Sequence, residues 1–131
     1  MSSDIKKEIL DVTCGSRSIW FDKHHPNAIY CDIMEEYENG VFGVKGAKRT
    51  INICPDIICD FTDLPFDSNQ FSLVVFDPPH LLNANKTAWL VKKYGVLDDT
   101  WPQMLHDGFK ECLRVLKPNG VLVFKWAETN L

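Results

Sequence analysis

Four aspartates close short apolar runs in this chain, and two prolines and a histidine follow the last of them. The runs end at Asp11, Asp32, Asp60 and Asp77, and the final one reads Phe71-Ser-Leu-Val-Val-Phe-Asp-Pro-Pro-His80. A carboxylate only accepts hydrogen bonds, at about four lone-pair sites, so it suits the N–H and O–H groups of a ligand. Leu73 to Phe76 is too short and too β-branched to prefer helix, which predicts a buried strand. Asp77 then sits at the strand's carboxyl end, where open α/β sheets place their ligand chemistry. Pro78 and Pro79 fix the backbone just beyond it and remove two N–H donors, while their neighbouring carbonyls can still accept. Asp77, those carbonyls and the ring of His80 form a receptor for a planar amino group.

The other acids need elements to hold them. Ile9-Leu-Asp-Val-Thr13 predicts a first strand, Cys14 to Arg17 a turn, and Ser18 to Lys23 a short helix stopped by His24-His25-Pro26. Gly15 lets the backbone approach a ligand with no Cβ in the way. Helix N–H groups beyond it can bind an electronegative group. Ala28 to Ile33 predicts a second strand, whose Asp32 follows Gly15 by seventeen positions. That is close to the spacing at which nucleotide folds put a ribose-binding carboxylate. The full Gly-x-Gly-x-x-Gly fingerprint is absent, which argues against a dinucleotide-dependent dehydrogenase.

Met34 to Thr50 is polar, with Gly40, Gly43 and Gly46 at a spacing of three. It reads as a loop or loose hairpin in place of a crossover helix, and not as a phosphate loop. Pro55 is tolerated at an edge or just before a strand, so Ile57 to Cys59 is the third strand, ending in Asp60-Phe61. Leu64, Pro65 and Phe66 pack as core under a loop. Leu81 to Gly95 reads either as a lid or as an amphipathic helix. Thr100-Trp-Pro-Gln103 has the form of a capping box. Leu105, Phe109, Cys112, Leu113 and Leu116 then recur at helical spacing and predict one buried face. Lys117-Pro-Asn-Gly120 ends that helix, and Val121 to Trp126 is the last strand.

Bulk properties narrow the class. The chain has 131 residues, 45% of them hydrophobic, and a net charge of −4. These values fit a single soluble domain over residues 1–131 and argue against a large nonspecific nucleic-acid surface. Lys45, Lys48 and Arg49, like Lys86, Lys92 and Lys93, read as solvated surface charge. No apolar run is long enough to span a bilayer, and the first residues lack a secretory h-region. Five cysteines without a Cys-x-x-Cys pair point to free thiols in a reducing cytoplasm, with no metal site.

Asp77-Pro-Pro-His80 resembles the Asp-Pro-Pro-aromatic signature of amino-methyltransferases that use S-adenosylmethionine, especially those acting on adenine N6. His80 stands where that family has Tyr, Phe or Trp. Asp11-x-x-Cys-Gly15-Ser is similar to its first motif, and Asp60-Phe61 before Leu64-Pro-Phe follows its order. The resemblance covers about Ile9 to Trp126. It implies an α/β, Rossmann-like open sheet, mainly parallel, of order 3-2-1-4-5, flanked by helices. It also implies that Asp77, Pro78, Pro79 and His80 hold the acceptor's amino group. The cofactor, S-adenosyl-L-methionine, would fall to Asp11, Thr13, Cys14, Gly15, Asp32, Ile33, Asp60, Phe61 and Asp77. The acceptor it implies is adenine in DNA or RNA, with a small molecule or protein amide behind it. The family's C-terminal β-hairpin is missing, so a dimer or a partner is expected on the fifth-strand edge, or the chain is truncated. The alternative is a non-catalytic relative that works through cofactor or partner binding.

Overall fold

The computed structural model describes residues 6–42, 47–78 and 100–126. Short apolar, β-branched runs form strands β1 (Ile9–Asp11), β2 (Ala28–Asp32), β5 (Ile57–Ile58), β6 (Phe71–Phe76) and β7 (Leu116–Phe124). Strands β3 (Glu36–Phe42) and β4 (Ala47–Ile53) make a separate antiparallel hairpin, in register from Glu36↔Ile53 to Phe42↔Ala47. Helix α1 (Trp101–Val115) precedes β7. The five-stranded sheet is open and parallel at every pairing, in the order β5-β2-β1-β6-β7. The chain numbering departs from 3-2-1-4-5 because the hairpin contributes two strands that stand outside the sheet. The architecture is α/β.

The sheet buries its two faces unequally. On one face Leu10, Val12, Cys31, Val74 and Phe76 meet Cys112 and Val115 of α1 and Leu64 of the β5–β6 connection. The Phe76 ring sets the spacing there, edge-on to Phe61 at 5.0 Å and to Phe109 at 5.2 Å between centroids. The other face holds a smaller cluster, in which Cys14, Ala28 and Tyr30 pack with Ile9 and Trp20.

Helix α1 is fixed to the β5–β6 connection by an ion-paired clasp. Arg114 donates to Glu111 at 2.6 Å and to the carbonyls of Phe66 (2.9 Å) and Leu64 (3.0 Å), while Glu111 accepts from the Leu64 amide at 2.8 Å. Arg114 lowers the Glu111 pKa, the effect expected of a charged donor beside a carboxylate. The last helical carbonyls, of Arg114 and Val115, accept from the Asn69 and Gln70 amides. Groups that a helix end leaves unpaired are thereby satisfied by the chain entering β6.

Several local expectations are corrected. Ser18 to Lys23 is a run of turns and not a helix. Arg17 has φ 60°, which breaks helical continuity, and the Lys23 ammonium takes the Arg17 and Trp20 carbonyls at 3.0 Å each. The capping box does not form: Thr100 has φ −92° and ψ 10° and makes no side-chain cap bond, and Gln103 instead donates to Asp107 at 2.8 Å. A cap residue normally sits in the extended region, which Thr100 does not. Leu113 is 58% exposed, one step around the helix from buried Cys112. Lys117 to Gly120 lie within β7 as an irregularity: Leu116 pairs with Phe71, the next pair is Val121 with Leu73, and Asn119 has φ 68°. Of the two readings for Met34 to Thr50, the hairpin is the one that forms, and its second strand, β4, runs on to Ile53. The expected lid or helix over Leu81 to Gly95 lies outside the described residues.

Gly108 is where α1 comes closest to the sheet. An added Cβ would lie 2.7 Å from both Phe61 Cδ1 and Phe76 Cζ. Alanine gains about 1 kcal/mol in helix propensity, but overpacking a filled core costs about 1–3 kcal/mol. Gly108→Ala is therefore expected to lower the urea midpoint, with a net loss of about 1 kcal/mol. A raised midpoint would show that the two rings can move aside.

Candidate functional site

In the parallel sheet the chain runs outward from β1 to β2 and β5, then returns to the other side of β1 with β6 and β7. The reversal falls between β1 and β6, and crevices at such switch points bind ligands at the strands' carboxyl ends. Those ends carry the segment Asp11 to Gly15, Asp32 and Asp77-Pro78. Register brings them level, because Asp11 lies opposite Tyr30 and Val75, each two residues short of Asp32 and Asp77.

A short hydrogen-bond network joins the three ends. Asp11 is 1% exposed, and its oxygens accept from the Thr13 amide at 3.0 Å and the Trp20 indole at 2.7 Å. The Asp77 amide donates to the Thr13 hydroxyl at 2.7 Å. On the other side the Gly15 amide donates to Asp32 at 2.8 Å, and Met34 donates to the second Asp32 oxygen at 3.0 Å. Gly15 has φ 51°, the left-handed region that favours glycine. The Cys14 amide donates to the Cys31 carbonyl at 2.7 Å, so the turn is also stitched to β2.

Electrostatics follow from burial. Removal from water pushes the Asp11 carboxyl up to about 6, against the Trp20 and Thr13 hydrogen bonds, and the charges of Asp77 and Asp32 push the same way. Burial also raises Asp32, opposed by backbone N–H groups of Met34, Gly15 and Ile33. Cys14 is buried and its thiol is pushed up by desolvation, which makes it a packing residue under the turn.

The remaining predicted residues divide. Ile33 is exposed beside Asp32. Asp60 is exposed two residues past the end of β5, whose Ile58 lies opposite Asp32, and one of its oxygens accepts from the Thr62 amide and hydroxyl at 2.9 and 2.8 Å. Phe61 is half-buried and gives its ring to Phe76 and the Gly108 backbone, so part of it belongs to the core. Asp77 is half-buried and Pro78 is buried. Pro79 and His80 lie outside the described residues. Among the described residues no cluster of His, Cys, Asp and Glu is arranged to hold a metal ion.

Two residues of the site carried no signal in the sequence. Trp20 sits in what reads as a helix, yet its indole caps Asp11 and its ring lies edge-on to Tyr30 at 5.0 Å. Arg17 looks like a surface residue, yet its guanidinium lies 3.8 Å over the Tyr30 ring and donates to the Cys54 carbonyl at 2.7 Å. Both reach their partners through turn geometry, which leaves no periodicity to read. Against protein-family models, curated proteins and solved structures, the chain finds no match.

Asp11 has a folded-state pKa of about 6 against an ordinary 3.8. Between those values the unfolded chain has lost the proton and the folded chain keeps it, so raising the pH favours unfolding. The Asp11 contribution to stability is greatest below pH 3.8, falls as pH rises to about 6, and then levels. The full change is on the order of 3 kcal/mol. Denaturation of wild type and Asp11→Asn across pH 4 to 7 should show a clearly shallower fall of stability with pH in the variant, which keeps only the smaller contribution of other raised groups such as Asp32. An identical slope in both proteins would contradict the assignment.

Proposed function

We propose that this chain is an S-adenosylmethionine-dependent methyltransferase built on a Rossmann-like sheet and acting on an amino nitrogen, adenine N6 in DNA or RNA being the leading acceptor. The observation that carries the reading is the junction at the switch point. There the Gly15–Asp32 hydrogen bond lies on one side and Asp77-Pro78 on the other, tied together through Thr13. The residues present fit the cofactor in their main feature. Asp32 is held in place by the Gly15 and Met34 amides, one on each oxygen, and its half-exposed carboxylate can still accept from the hydroxyls of a ribose. Asp11 also accepts one hydrogen bond on each oxygen but is sealed from solvent, so its part is to shape the turn and not to touch the ligand. Asp60 and Ile33 flank Asp32 at the open edge, where an adenine ring and its amino group would lie.

When bound, the cofactor supplies an electrophilic methyl group. The chain's work is then orientation, which can carry several kcal/mol of a transfer barrier. The Asp77 carboxylate and the Pro78 carbonyl accept the two N–H bonds of the acceptor amine, which leaves the nitrogen lone pair pointing away from them. His80 flanks or stacks on the acceptor ring. A duplex base must first be flipped out to reach such a receptor. Five free cysteines are consistent with a reducing, cytoplasmic setting. Among the described residues no helix is long and apolar enough to cross a membrane.

One observation favours a second reading, in which the chain acts by binding a partner or a second copy. Strand β7 pairs only with β6 among the described residues, and its Val121 and Val123 are 58% and 46% exposed. Transfer of tritiated methyl groups from S-adenosylmethionine to adenine-containing oligonucleotides separates the two. The enzyme reading expects turnover that falls about 100-fold or more in Asp77→Ala, as expected when a reacting group is misplaced. Turnover that survives this substitution would remove Asp77 from the chemistry, and a folded chain that transfers no label favours the binding role.

A further inference from the structure

The two strands that end in Asp32 and Asp60 carry the same dipeptide, Cys31-Asp32 on β2 and Cys59-Asp60 just past β5. The strands are parallel neighbours with Cys31 opposite Ile57 and Asp32 opposite Ile58, so Cys59 lies two positions along from Cys31. Side chains two apart along a strand share a face. Both sulfurs accordingly turn to the helix-covered face, where Cys59 packs on the cluster that contains Cys31. The Cys59 amide donates to the Asp32 carbonyl at 3.0 Å, holding the chain beside β2 past the last paired residue of β5.

We propose that Cys31 and Cys59 are a redox-active dithiol that hydroperoxides convert to a disulfide. The roles divide by burial. Cys59 is half-buried and so is the thiol that a peroxide can reach, and the neighbouring Cys31 thiol lowers its pKa. Cys31 is fully buried against it and stays protonated. The Cys59 thiolate attacks the peroxide O–O bond, forming a sulfenic acid and releasing hydroxide or alkoxide, which takes up a proton. The Cys31 sulfur then attacks the Cys59 sulfur. The S–S bond forms, the S–OH bond breaks, and the departing hydroxide leaves as water with the Cys31 proton. Two thiols are oxidised and one hydroperoxide is reduced.

Bridging requires the Cα atoms to come within about 7 Å. Strand β5 has two residues and pairs on one side only among the described residues, so closing the bond displaces this edge while the Asp56–Tyr30 and Cys59–Asp32 hydrogen bonds keep it beside β2. The resulting tether stands one residue before both Asp32 and Asp60. Cys14, also buried, belongs to the opposite cluster with Tyr30 and does not compete for the bond. Cys54 is exposed and is removed as Cys54→Ser so that cross-links between molecules cannot confuse the result.

The test treats Cys54→Ser protein with a small excess of hydrogen peroxide, then combines thiol titration with peptide mapping under non-reducing conditions. The expected result is loss of two thiols per chain, a peptide pair joined through Cys31 and Cys59, and full recovery with dithiothreitol. Adding Cys59→Ala should abolish the thiol loss without touching the buried Cys31. Unchanged thiols, irreversible oxidation of Cys59 with no joined peptide, or a bond to any other cysteine would each overturn the proposal.

Discussion

The segment Asp11 to Gly15 holds the candidate site together because it satisfies hydrogen bonds on both sides at once. Its Gly15 amide meets the Asp32 carboxylate on β2, and its Thr13 hydroxyl meets the Asp77 amide beyond β6. Neither neighbour is connected to it by a short stretch of chain. What makes the geometry possible is the parallel register of β2, β1 and β6, which delivers three strand ends to one level. Buried backbone amides must find partners. Here the partners are the side chains that the proposed chemistry would use, so the fold and the site depend on the same bonds.

This arrangement costs something electrostatically. Three carboxylates converge where the sheet opens; Asp11 is fully buried, and its ionisation is opposed first by that burial and then by the charges of Asp77 and Asp32. The nearby guanidinium of Arg17 is spent on Tyr30, the Cys54 carbonyl and Asp56. Carboxylates gathered at one crevice favour ligands that bring hydrogen-bond donors or positive charge. That agrees with the proposal of a sulfonium cofactor and an amine acceptor. The packing of Phe76, Phe61 and Phe109 beneath the strand ends supplies a rigid base for these groups.

The parts of the molecule that were legible in the sequence have a period or a fixed chemical ending. The runs ending in Asp11, Asp32 and Asp77 read as strands because apolar, β-branched stretches of that length have few alternatives. The α1 stripe through Leu105, Phe109 and Cys112 was visible for the same reason. The turn from Gly15 to His25 was not. Its shape follows from a positive φ at Arg17 and from a lysine bonding to carbonyls, and neither leaves a pattern in residue types. Asp11 shows a subtler limit: its place at a strand end was evident, but its enclosure beneath the Trp20 indole was not.

The central claim is that the Gly15 turn and Asp32 form a cofactor site. Calorimetric titration of the folded chain with S-adenosylhomocysteine, beside Asp32→Ala, tests it most directly. The account predicts one saturable site whose affinity falls at least tenfold in the variant, a difference of about 1.4 kcal/mol. Near-ultraviolet circular dichroism of both proteins confirms that they are folded under the titration conditions. Equal affinity in the two proteins, or no binding by the folded wild type, would contradict it.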